Sequence, residues 1–190
     1  MAVTGINFVA DYLRHFTDVM NQDGLEATLD EAQDILRKVA EQDGKVMFAG
    51  NGASASIASH YALDFTKQAK IRSISFNDSA LLTAYANDYG YEQWVARAIE
   101  HHGQEGDAAV LISTSGRSPN IVNAAEVCAS RGISTITFSG FEEGNALRER
   151  GDVNFWAPSR AYNVVEGVHS MWLGLLCDLI IGKREYSVQG

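Results

Sequence analysis

Residues 108–120 read Ala-Ala-Val-Leu-Ile-Ser-Thr-Ser-Gly-Arg-Ser-Pro-Asn, an apolar run that ends abruptly in hydroxyls and a helix start. Five apolar residues without polar alternation predict a strand over 108–112 that is buried on both faces. Pro119 then suits the first helical position behind a Ser118 cap. An earlier stretch, residues 45–54, has the same order: Lys-Val-Met-Phe-Ala, then Gly-Asn-Gly-Ala-Ser. Further β-type runs lie at 71–76, 133–138 and 152–156. Between the strands fall helical patterns near 53–66, 79–86, 92–101, 119–131 and 145–150, and a last helix spans about 163–181. Strand–helix alternation with continuous apolar strands predicts an α/β fold, a parallel sheet covered by helices on both faces. In such sheets ligands gather where strand C-termini meet helix N-termini, so Gly50 and Ser113 mark the places to look.

Upstream of this core, residues 1–42 are helical in pattern. Ile6, Val9, Leu13, Phe16 and Met20 form one apolar stripe. Asn21 and Asp23 are positioned to cap a second helix carrying Leu25, Leu29, Ala32, Leu36 and Val39. Phe8, Tyr12 and Val19 widen the first stripe beyond one packing partner, which leaves surface for a second contact such as another subunit. No internal repeat or linker interrupts the chain. The expectation is one domain over 1–190, with a helical segment at 1–42 and the α/β core at 45–183.

Composition narrows the function. The chain has 190 residues, 46% of them hydrophobic, with 15 basic against 24 acidic residues and a formal charge of −9. A surface of that sign repels nucleic-acid phosphates unless basic residues cluster, and no cluster is visible, so direct nucleic-acid binding is not expected. Unbroken apolar runs fall short of the roughly 20 residues of a membrane span. The N-terminal stretch lacks a secretion pattern, so a cytoplasmic setting is expected. Cys128 and Cys177 are too few for a disulfide framework or metal knuckle and read as core residues in apolar helices.

Two loops suit a phosphate. Gly50-Asn51-Gly52-Ala53-Ser54 places glycines and a hydroxyl before a helix start, where unpaired N–H groups carry partial positive charge. It lacks the Gly-Lys-Ser/Thr ending of a Walker loop. Ser113-Thr114-Ser115-Gly116-Arg117-Ser118 sets four hydroxyls before another helix start. Either loop alone also reads as an ordinary strand-to-helix turn. Two at matching strand ends favour a small phosphate-bearing ligand.

The order GNGxS after the first strand, STSGxS after a central strand and Asn87-Asp88-Tyr89-Gly90 between them resembles the sugar isomerase (SIS) family, and within it the phosphoheptose isomerases. The likeness runs over nearly the whole chain. It implies a three-layer αβα sandwich with a five-stranded parallel sheet and extra N-terminal helices. It also implies assembly as a homotetramer, or a homodimer, through the terminal helices, and a phosphosugar ligand. By that resemblance Ser113, Thr114, Ser115 and Ser118 hold phosphate. Asn51, Gly52 and Ser54 contact phosphate or sugar, and Asp88 bonds sugar hydroxyls. The family's isomerases convert sedoheptulose 7-phosphate to the aldose heptose 7-phosphate.

Aldose–ketose isomerisation needs a base near C1 or C2 and an acid serving the carbonyl oxygen. His60 and Asp64 are four apart on one predicted helix face, and Glu166 and His169 three apart on another. Both pairs also fit plain surface ion pairs. The resemblance places Asp64 where the isomerases carry a catalytic glutamate, Glu166 at a glutamine, His169 at a first histidine and Gly174 at the catalytic second histidine. Three readings follow. One is an isomerase with an altered set, Asp64 as base with His169, Glu166 or His60 serving the oxygens. Another is a non-catalytic phosphosugar- or sugar-nucleotide-binding regulator, like relatives that associate with a replication initiator. In the third, zinc on His60, Asp64 and Glu166 polarises the substrate, as in some phosphoheptose isomerases.

Overall fold

The computed structural model describes residues 5–187, with side chains from Asn7 onward, so the Ile6 side chain lies outside the described residues. Two helices, α1 (Gly5–Met20) and α2 (Leu25–Glu41), precede the sheet. The chain then alternates through β1 (Val46–Ala49), α3 (Ala53–Lys67), β2 (Ser73–Ser75), α4 (Ser79–Tyr89) and α5 (Trp94–His102). It continues through β3 (Ala108–Ser113), α6 (Pro119–Ser130), β4 (Ser134–Gly140), β5 (Val153–Ala157) and α7 (Tyr162–Ile181). The five strands are parallel in the order β2-β1-β3-β4-β5. Order reverses between β1 and β3, because the chain leaves β1 toward one edge and β3 toward the other. A crevice at the strand C-termini follows from that reversal.

Alternation along each strand builds two cores. Phe48, Val110, Ile112, Ile136 and Phe138 face α1, α2, α3 and α7, where Leu36, Phe65, Trp172 and Leu173 are fully buried. Met47, Ala49, Ala109 and Leu111 face α4, α5 and α6, packing on Trp94, Ile99 and Ile121. The result is the predicted αβα sandwich. Both cysteines are buried, and burial pushes each thiol up to about 12, which leaves them inert. Helix α7 is apolar enough over its length to cross a membrane by composition, with a mean hydropathy of 1.6. Its Val165, Val168, Trp172 and Leu176 instead pack on the sheet as core.

Three local expectations are corrected. The second helix is capped by Gly24 at φ 83°, with no side-chain cap bond from Asn21 or Asp23. Residues 145–150 form only a 3-10 turn at Arg148–Arg150. The Asn145 amide is buried and donates to Ser139 Oγ, Gly140 O and Glu142 O, which fixes a loop where a helix would need a free backbone. On α1 the packed face is Tyr12, Phe16, Val19 and Met20, whereas Phe8, Val9 and Leu13 stay 54%, 56% and 59% exposed.

At the opposite end of the sheet from the crevice, buried Asp107 ties the start of β3 to the start of β1. Its carboxylate accepts from Lys45 N (2.8 Å), Lys45 Nζ (2.5 Å) and Gln104 N (2.9 Å). Asp107→Ala removes the buried acceptor of two partly buried amides and an ammonium, so urea denaturation should register a loss of about 3 kcal/mol. A loss below about 1 kcal/mol would contradict this accounting.

Candidate active site

The crevice between β1 and β3 is a cavity of ≈ 160 Å³ lined by Asn51, Ser54, Ile112, Ser113, Thr114, Ser115, Ser118, Tyr162 and Glu166. Three helices begin at its wall: α3 behind Asn51, α6 behind Ser118 and α7 at Tyr162. Each N-terminus contributes partial positive charge and free N–H groups, and here all three bear on one volume. Gly50 makes the first of these turns possible. A Cβ there would lie 2.6–2.7 Å from Ser54 atoms, so only glycine lets α3 fold back over the strand end.

The hydroxyls are not equivalent. Ser113 Oγ donates to Ser118 Oγ at 3.0 Å, and Thr114 Oγ1 donates to Glu166 Oε1 at 3.3 Å. Ser118 is the N-cap residue of α6, yet its hydroxyl makes no cap bond and accepts from Ser113 instead, so its own proton remains available to the cleft. Ser115 Oγ likewise only accepts, from Arg117 N at 3.3 Å. Ser115 and Ser118 thus keep free hydroxyl protons beside the Ser54 and Tyr162 hydroxyls, and among the described residues no lysine or arginine lines the cleft.

The opposite wall is held by a pair of amides, Asn51, which the sequence singled out, and Asn120, which it did not. Asn51 and buried Asn120 exchange two hydrogen bonds of 2.9 Å, and Tyr91 Oη donates to Asn51 Oδ1 at 2.9 Å. Asn120 sits at the second position of α6, and a polar residue in an otherwise apolar helix face was its one visible signal. Tyr162, at the first position of α7, carried none.

Other expected residues lie elsewhere. Gly52, exposed at φ 57°, forms the N-cap of α3 beside Asn51 and is outside the lining. Asp88 is exposed at the end of α4 and pairs with Asn87 Nδ2. His60 Nε2 and Asp64 Oδ2 lie 3.2 Å apart on the flank of α3. Asp64 is ten residues past Ser54, roughly 15 Å along the helix. His169 is not in the cleft. It is fully buried, with Nε2 2.9 Å from Ser139 O, its ring packed near Phe138 and Trp172. Gly174 faces Tyr61: a Cβ there would lie 3.0 Å from the Tyr61 hydroxyl, which donates to Ser170 O. The phenol thus fills the space beside Gly174, the position where the sequence resemblance implied a histidine. His60, Asp64 and Glu166 do not converge, and no group of three or more potential ligands among the described residues could hold a metal. These donors do not fit a zinc ion within one chain.

Burial lowers the His169 pKa to about 4, only partly offset by the Ser139 carbonyl. Above pH 6.5 both folded and unfolded chains carry it neutral. Between pH 6.5 and 4 the unfolded chain takes up a proton that the folded chain refuses, so stability falls with pH. The loss attributable to this residue should approach about 3 kcal/mol by pH 4. His169→Gln, whose amide can reach the same carbonyl, should remove that share of the pH dependence of urea unfolding. An unchanged pH profile in the variant would contradict it.

A doubly wound sheet with a hydroxyl-lined crevice at its switch point, walled by helix N-termini, defines an α/β protein of the open-sheet class, and comparison narrows it. The SIS domain family model matches residues 8–140, and the chain belongs to the SIS domain family. It is 35% identical over 164 residues to the phosphoheptose isomerase of Helicobacter pylori, covering 83% of this chain and 85% of that protein. It is 32% identical to the phosphoheptose isomerase of Burkholderia pseudomallei, covering 97% and 94%. A phosphoheptose isomerase structure from Francisella tularensis superposes with a TM-score of 0.86 at 27% identity, covering 95% of this chain and 100% of that one. One from Neisseria gonorrhoeae gives 0.84 at 26%, covering 93% and 99%. Within its family the chain is phosphoheptose isomerase-like.

Proposed function

We propose that this chain is a phosphosugar aldose–ketose isomerase that converts sedoheptulose 7-phosphate to the aldose heptose 7-phosphate, working in the cytoplasm as a homotetramer. The observation that carries the reading is the convergence of three helix N-termini and the free hydroxyls of Ser115 and Ser118, among others, on one cleft. Phosphate held there accepts from Ser115, Ser118 and backbone N–H groups, while the sugar extends past Glu166 and Tyr162. Ser115→Ala and Ser118→Ala each remove a charge-assisted bond, and each should weaken phosphosugar affinity about 10- to 100-fold by calorimetry. Unchanged affinity in both would remove the phosphate from this loop.

At ≈ 160 Å³ the cleft is smaller than the roughly 300–1,000 Å³ of a complete small-molecule site. It suits the phosphate end, with the rest of the pocket supplied by a second copy. Phe8, Val9, Leu13, Leu63, Met171 and Leu175 are exposed on α1, α3 and α7, and support a self-association surface there, with the 1–42 segment contributing to it. In that assembly Asp64, presented by a neighbouring copy, takes the C1 proton of the ketose and returns it to C2. Glu166, the one carboxylate among the described residues that line the cleft, serves the proton moving between O2 and O1. Aldose formation from sedoheptulose 7-phosphate with solvent deuterium incorporation at C2 tests this.

Tyr61 beside Gly174 favours a second reading, a phosphosugar-binding regulator without chemistry. Saturable binding without turnover or deuterium exchange would select it.

A further inference from the structure

Asn51 is bonded on both sides of its carboxamide, and that network has a direction. A carboxamide has two acceptor sites on oxygen and two N–H donors. Asn51 Oδ1 receives both the Asn120 amide and the Tyr91 hydroxyl, and one Asn51 N–H goes to Asn120 Oδ1. Both acceptor sites are filled, and one N–H remains on a side chain that lines the cleft. Turning the Asn51 amide over would set its NH2 toward a phenol, which donates more readily than it accepts, and would present oxygen to the cleft. We propose that Asn120 and Tyr91 are positioning residues that hold Asn51 as a hydrogen-bond donor toward the ligand's phosphate oxygens, so that the cleft selects an acceptor at this point.

The three partners come from separate parts of the fold. Asn51 ends the β1 loop, Asn120 lies in the first turn of α6, and Tyr91 lies between α4 and α5. Tyr91 is half exposed and Asn120 is buried, so the pair fixes from two sides the one amide of the three that lines the cleft. Ser115 and Ser118 donate from the facing loop. Holding the Asn51 donor in place spares the ligand the cost of orienting it, an effect realised in binding and not in the chemical step.

The proposal rests on the phosphosugar reading of the cleft, and its test separates the two. Sedoheptulose 7-phosphate is titrated into the unaltered chain and into Tyr91→Phe, Asn120→Ala, Asn120→Asp and Asn51→Ala, singly and combined. Kd is read by calorimetry and, where turnover occurs, kcat and KM are read as well. Asn120→Asp preserves volume, guarding against a folding defect in the alanine variant, yet it cannot donate to Asn51 Oδ1. Tyr91→Phe should weaken binding about 3- to 5-fold and either Asn120 variant about 10-fold or more, with kcat within about twofold. In the Asn51→Ala background the same changes should shrink to under about twofold, because they act through Asn51. Additive losses, or losses confined to kcat, overturn the positioning role while leaving the function in place. Failure of the unaltered chain to bind the sugar phosphate overturns the function reading and the proposal with it.

Discussion

Gly116→Ala is expected to abolish phosphosugar binding and to cost several kcal/mol of stability. Gly116 holds φ at +64°, where an L side chain is strained by about 1–2 kcal/mol. The larger effect is spatial, because a Cβ at this position would fall on the Asn145 side chain. Asn145 cannot yield cheaply. Its amide donates to three acceptors around the end of β4, its oxygen accepts from Arg148 N at 3.0 Å, and Leu147 N donates to Gly116 O at 2.9 Å. Moving it leaves buried polar groups unpaired, each at about 1–3 kcal/mol. Moving Gly116 instead drags Ser115 and Ser118 out of register with the α6 N-terminus. Urea unfolding should show a loss of about 3–5 kcal/mol, the range reserved for such named defects. Near-native stability together with intact binding would contradict this account of the loop.

The second large effect is on turnover. Asp64→Asn should lower kcat about 10³-fold while leaving phosphosugar affinity within about twofold. The amide keeps the shape of the carboxylate and can still bond His60, now 3.2 Å from the Asp64 oxygen, but it cannot take a proton. The residue lies on the α3 flank, away from the phosphate loop, so the two parameters should separate. Steady-state kinetics and calorimetry on the same preparation check this. Full turnover in the variant would remove Asp64 from proton transfer and leave Glu166 as the carboxylate to pursue.

Much of the fold was legible because the two central strands, β1 and β3, are continuous apolar runs closed by glycine or a hydroxyl. Residues 108–112 and 45–49 stand within a residue or two of β3 and β1. The turn at 113–118 was legible for the same reason, since Ser118-Pro119 announces a helix start whatever packs around it. Periodicity alone did not say which face of α1 would pack. Its apolar residues cover more than half the circumference, and contact with α7 selected Tyr12, Phe16 and Val19 over Val9 and Leu13. Helical spacing placed Glu166 and His169 on a shared side of α7. It could not place the sheet edge that leaves Glu166 at the cleft and closes over His169. The Asn51–Asn120 pair joins positions 69 apart, a relation that no local pattern encodes.

A crystal structure with sedoheptulose 7-phosphate bound tests the central assignment most directly. Its phosphorus should lie within about 4 Å of the Ser115 and Ser118 hydroxyl oxygens, with a phosphate oxygen within about 3 Å of Asn51 Nδ2. Phosphate seated instead among Lys67, Lys70 and Lys183, at the far ends of α3 and α7, would contradict it.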